Sequence, residues 1–161
     1  MTDKSNRMIT YQWYTFDQLN VEALYQILSM RQDIFIVEQN CVYRDIDHLD
    51  QSAWHLVGRD TDENVVGYLR VLPPGKRFAE PAIGRVTTAH DERKKGIGEE
   101  LMRRGIEKAE KLFPGSAIRL SAQVAATGLY ERCGFSSVGK PYDEDGIPHI
   151  EMVRIPSGDL G

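Results

Sequence analysis

Gly96 and Gly98 follow the basic run Arg93, Lys94, Lys95 and precede a stretch of alternating charged and apolar residues that reaches residue 113. Glycine loses more backbone freedom on folding than any other residue, so a pair at the mouth of a helix needs a compensating use. Without side chains, the chain lets an anion reach the unpaired N–H groups of the first helical turn. That helix end carries about half a positive charge, and the basic run adds to it. Phosphate suits such a place. A dinucleotide-binding GxGxxG does not fit, because Leu101 stands where the third glycine belongs, and no GK[ST] follows to make a P-loop.

The elements that must position these residues follow from periodicity. "MITYQWYTF" alternates as a strand, and Asp17 is expected to cap the helical pattern from Leu19 to about Val37, read as one long or two consecutive helices. "EQNCVYRDIDHLDQS" loses the pattern and gathers Asp45, Asp47 and Asp50, so it reads as an acidic loop. Its charges are expected to be a solvated face in preference to a trap for a cationic amine. "AWHLVGR" and "VVGYLRVL" form a hairpin around "DTDEN", and "AIGRVTTAH" is a third strand of that group. Asp91 stands where the next helix would begin. Residues 98 to 113 make an amphipathic helix, with Glu99–Arg103, Glu100–Arg104 and Glu107–Lys111 pairs worth about 0.2–0.5 kcal/mol each. "AIRLSAQ" is a buried strand, "AATGLYERC" a short helix, and "SSVGKPYDEDGIPHIEMVRI" a closing pair of strands.

Hairpins mixed with strand–helix–strand crossovers predict an α/β or α+β fold, its mixed sheet covered by helices on both faces. The 161 residues suit one domain, 1–161, with 41% hydrophobic and 27% charged residues in the usual globular mixture. Net charge −4 offers nucleic acid and anionic membranes no broad attraction. No apolar run approaches the roughly 20 residues of a membrane span. The first residues lack a secretory pattern, so a cytoplasmic protein is expected. Cys41 and Cys133 form no CxxC pair and are expected to be reduced thiols. No two histidines have metal-ligand spacing, and no metal is expected.

Arg93, Gly96 and Gly98 match (Q/R)xxGxG, which resembles the acyl-coenzyme A (CoA) signature of the GNAT superfamily of N-acetyltransferases. "GLYERCGF", residues 128 to 135, resembles that superfamily's tyrosine-containing segment, and the element order is similar over nearly the whole chain. "FIVEQNCVYRDID" and "YDEDGIPHIEM" resemble the ElaA family within it. One departure is Gln123, where GNAT proteins often carry Asn.

The resemblance implies the GNAT fold, a central sheet of about seven strands with about four helices. It also implies acetyl transfer from acetyl-CoA, a cosubstrate, to an amine of a small molecule or peptide. Val86, Thr87 and Thr88 would run beside the pantetheine arm, where a bulge frees N–H groups to polarise the thioester carbonyl. The pyrophosphate would lie on residues 94 to 99, making Arg93, Lys94, Lys95, Gly96, Ile97, Gly98 and Glu99 the coenzyme loop. Tyr130 matches the tyrosine that serves the departing thiolate. Its phenol, with an ordinary pKa of about 10, is protonated at neutral pH. An acceptor amine must lose a proton, for which Glu38, His55 and His149 are the candidates, although His55 reads first as a satisfied sheet histidine. His48 and His90 read as loop residues. Arg70 and Arg85 either hold an acidic part of the acceptor or, the favoured reading, face solvent. A noncatalytic acyl-CoA sensor is the competing reading, and homodimerisation is an option the family offers.

Overall fold

The computed structural model describes residues 8–89 and 96–156. Seven strands form one sheet: β1 (Thr10–Thr15), β2 (Trp54–Arg59), β3 (Val65–Leu72), β4 (Ala82–Thr88), β5 (Ile118–Gln123), β6 (Ser136–Glu144) and β7 (Ile147–Arg154), in the order β1-β2-β3-β4-β5-β7-β6. β1 to β4 form an antiparallel meander, and β5, β7 and β6 form a second antiparallel group. Only β4 against β5 is parallel, through the pair Ala82–Arg119. The mixed α+β sheet expected from the sequence is therefore present.

Three α-helices join the strands: α1 (Val21–Arg31), α2 (Ile97–Leu112) and α3 (Thr127–Arg132). About four helices were expected and three α-helices are found among the described residues; a π-helical segment, Gln32–Glu38, continues α1 with a wider turn, and the other helical pieces are short 3₁₀ turns. Asn20, not Asp17, caps α1, its side chain accepting from the Ala23 N–H at 2.7 Å. Asp17 is occupied instead by the Thr15 hydroxyl, which donates to it at 2.8 Å within the 3₁₀ turn Phe16–Gln18. Asp91 lies outside the described residues.

β3 is an interior strand, buried along almost its whole length because helices cover both faces. Ile27 of α1 packs on Val57 and Tyr68 on one face. On the other, Leu101, Met102 and Ile106 of α2 pack on Leu56, Leu69 and Val71. The alternation of side chains along β2 and β3 sends successive residues to opposite layers. Gly105 allows the helix this close, since a Cβ there would lie 3.1 Å from Leu69 Cδ2. Each of the larger fully buried side chains contributes about 1.5–3 kcal/mol of transfer free energy.

Candidate active site

Beyond Ala82 and Arg119, β4 and β5 have no further register pair, so the two strands diverge and leave a groove of about 820 Å³. Gly84, Arg85, Val86 and Thr88 line one side; Leu120, Ser121 and Gln123 line the other. Gly98 of α2 and Leu129 and Tyr130 of α3 close one end, while Phe35, Gln39, Tyr43 and His149 reach the other part. A groove this size matches the usual volume of small-molecule sites.

Gly96 adopts φ 78° at the start of α2, a left-handed conformation that favours glycine, and a Cβ there would meet no atom within 4 Å. Its requirement is thus conformational. Ile97 is buried in the core, so only its backbone is available to a ligand. The Glu99 carboxylate is 2.7 Å from Arg132 of α3, tying the two helices together in place of the expected Glu99–Arg103 pair. Arg93, Lys94, Lys95 and His90 lie outside the described residues.

The bulge sits in β4. Thr87 pairs with Tyr68 and Gly84 with Arg70, leaving Arg85 and Val86 opposite Leu69 alone. Val86 and Thr88 line the groove, but the Thr87 side chain is buried and donates to the Arg85 carbonyl at 2.7 Å. Thr87 can therefore meet a ligand only through its backbone.

Tyr130 is partly buried, edge-on to Phe135 with ring centroids 6.4 Å apart. Its hydroxyl has no hydrogen-bond partner among the described residues, and burial pushes its pKa up to about 12, helped by nearby Cys133. The phenol therefore keeps its proton throughout the neutral range.

The candidate bases fare differently. His55 is fully enclosed: a carbonyl can only accept, so Nε2–H donates to Asp50 O at 2.9 Å and Nδ1 accepts from the Tyr68 hydroxyl at 2.6 Å. Burial, the largest influence, lowers its pKa and keeps the ring neutral. It is the satisfied sheet histidine its sequence context suggests. Glu38 is exposed at the end of the π-helical segment, whose residues Ile34 and Phe35, with the following Gln39, line the groove in its stead. His149 lines the groove on β7. Its Nδ1 is 2.8 Å from the Ile147 carbonyl, its Nε2 is 3.4 Å from Glu144, and its ring stacks on Tyr142. The Nδ1 proton is thereby directed at a carbonyl, leaving Nε2 as the basic nitrogen.

The sequence reading missed the wall between these parts. Arg70 and Arg85 are not solvated arginines, and the acidic loop is not a solvated face. Arg31, Asp45, Arg85, Asp47, Arg70 and Asp50 close into a ring of ion pairs. Around it, Arg31–Asp45 is 2.9 Å, Asp45–Arg85 2.8 Å, Arg85–Asp47 3.4 Å, and Arg70–Asp50 and Asp50–Arg31 each 2.8 Å; Asp47–Arg70 completes the circuit. Burial alone would raise the Asp47 and Asp50 pKa values, but the hydrogen bonds and charges of Arg70 and Arg31 outweigh it and lower both. With three cations matched to three anions, the ring has no spare carboxylate for a cationic acceptor. Arg70 Nε is the one orphaned buried side-chain atom among the described residues. The only sequence signal was charge on strands, which does not say whether a partner waits inside.

No group of three or more His, Cys, Asp or Glu able to hold a metal ion occurs among the described residues, and both cysteines are free. Nor is any described helix long and apolar enough to cross a membrane.

A mixed sheet whose one parallel strand pair opens beside a glycine-started helix is the acyl-CoA N-acyltransferase fold. Residues 20–155 match the family described as Acetyltransferase (GNAT) domain, and the chain belongs to that family. Among its relatives, a UPF0039 protein of Synechocystis is 40% identical over 92% of this chain and 97% of its own length. Protein ElaA of Escherichia coli is 37% identical over 91% of this chain and 97% of its own. The ElaA crystal structure superposes with a TM-score of 0.85 at 36% identity, covering 91% of this chain and 99% of that one. A structure described as an acyl-CoA N-acyltransferase from Pseudomonas aeruginosa gives the same TM-score, identity and coverage.

Proposed function

We propose that this protein transfers the acetyl group of acetyl-CoA to a primary amine of a small molecule or peptide, directly, with both substrates held together. The observation that carries this reading is the groove itself. It brings the start of α2 and Tyr130 together at one end and the bulged β4 along its side, and the parts of acetyl-CoA match those features. The pyrophosphate rests on the backbone of residues 94 to 99, so N–H groups provide more of the grip than Arg93, Lys94 or Lys95. Pantetheine lies along Val86, Thr87 and Thr88 and adds the strand contacts that β5 withholds.

The amine nitrogen attacks the thioester carbon, whose oxygen is polarised by β4 N–H groups. The new N–C bond forms as the C–S bond breaks, and the sulfur departs with the electron pair. Tyr130 donates a hydrogen bond to that thiolate. Because its pKa is raised to about 12, full proton transfer to sulfur is uphill, and hydrogen bonding is the larger part of its role. His149, through Nε2 or a bound water, takes the amine proton in preference to Glu38, since His149 faces the groove.

The test is acceptor-dependent release of free thiol from acetyl-CoA across polyamines, amino acids, aminoglycosides and peptides, together with calorimetry of acetyl-CoA binding. Saturable release is expected. Tyr130→Phe should lower turnover about 10- to 100-fold, the worth of a hydrogen bond to a charged group, with acetyl-CoA affinity nearly intact. Equal turnover removes Tyr130 from the mechanism, and binding without release makes the protein an acyl-CoA sensor.

A further inference from the structure

Asn40, His48, Glu63 and Asp145 have positive φ in turns and loops, where that conformation is ordinary, but Arg85 has φ 53° inside a strand. A non-glycine residue held there costs free energy and persists only where its surroundings over-determine it. Here they do so from three directions. Arg85 Nε donates to Asp45 Oδ1 at 2.8 Å, and Nη2 donates to the Asp45 carbonyl at 2.9 Å and to Asp47 at 3.4 Å. The aspartates are fixed in turn by Arg31 and Arg70, both buried. Thr87 holds the Arg85 carbonyl at 2.7 Å. Behind the bulge, Leu69 is fully buried against Gly105, so β3 has no room to shift and absorb a change in β4.

We infer that Arg85 is a positioning residue for acyl transfer. The ion-pair ring clamps its guanidinium, the clamp holds residue 85 in the left-handed conformation, and that conformation aims the N–H groups after the bulge at the thioester carbonyl. Its charge is consumed by Asp45 and Asp47, so Arg85 acts through the backbone and does not recognise the acceptor. The functional half of this inference rests on the acetyl-transfer reading above; the conformational half does not.

Arg85→Ala, Arg85→Gly and Arg85→Lys test both halves. The clamped residue is the least buried arginine of the ring, and glycine adopts positive φ without a clamp. Arg85→Ala should lower kcat about 10–100-fold, the cost of misplacing reacting groups by an ångström or less, with the KM for acetyl-CoA within about threefold. Glycine should recover most of that loss and lysine part of it. By NMR, the close approach of the residue-85 Hα to its own N–H, a mark of left-handed backbone in a non-glycine residue, should be seen in wild type and lost in Arg85→Ala. Equal losses for alanine and glycine would overturn the inference, as would a left-handed residue 85 in the alanine variant or a raised KM with unchanged kcat. If the wild type releases no thiol, acetyl transfer fails as the activity, and the NMR measurement still decides whether the ring holds the bulge.

Discussion

Two sets of arginine–carboxylate pairs divide this molecule. On α2, Arg103 meets Glu100 at 2.7 Å and Glu107 at 3.3 Å, and Arg104 meets Glu100 at 2.8 Å, all on a helix face open to water. In the ring, similar distances join side chains such as Arg31 and Asp45, which are 1% and 6% exposed. Both sets pair guanidinium with carboxylate at similar distances, yet the consequences differ. Water replaces a broken pair on the helix at little cost, whereas removing one member of the ring strands a partner in a medium that solvates it poorly. The helix pairs keep a surface charged; the ring decides where a loop, a helix and two strands meet.

Removing one cation from each set is the strongest way to break that contrast. Arg70→Met should cost about 3–5 kcal/mol of stability in urea unfolding, since it leaves Asp47 and Asp50 short of a partner. Arg103→Met should leave the urea midpoint essentially where it was. Comparable shifts would mean that burial does not separate the two sets.

Acid is the next lever. Asp47 and Asp50 have folded pKa values below the ordinary 3.8. Their contribution to stability is therefore complete above about pH 4 and is lost as pH falls through the folded values, because the unfolded chain binds protons first. Asp50→Asn should flatten the stability–pH slope below pH 4. Glu100 is also lowered, to about 2, chiefly by hydrogen bonds from Arg103, but it is partly exposed, and Glu100→Gln should change that slope less. An equal change would sink the comparison. The smallest effect is salt: at about 1 M, where the screening length is about 3 Å, the stability difference between wild type and Glu100→Gln should shrink, while that for Asp50→Asn persists.

What the sequence disclosed follows the same division. Every strand was legible because alternation and continuous apolar runs record which faces are buried, and β3 shows this most plainly in "VVGYLRVL". The groove was legible through the glycines at the mouth of α2, costly there without a use, and through the family resemblance that singled out Tyr130; Gly98 and Tyr130 both line it. The ring was not, because Arg31, Arg70 and Arg85 lie on α1, β3 and β4, apart in sequence from the acidic loop of Asp45, Asp47 and Asp50, and polarity alone predicts solvent. Local competition explains the rest: Asp17 was taken by Thr15, leaving Asn20 to start α1, and Glu99 reached across to Arg132 instead of along its own helix.

The sheet is joined across its middle by a single rung, Ala82–Arg119. Mechanically it is two stiff plates sharing a short seam, with most of their facing edges unzipped. Anything extended that threads the gap completes the missing ladder and locks the plates together, so occupancy and rigidity rise as one quantity. Slower hydrogen exchange on β4 and β5 would then report a filled groove even before any product leaves it.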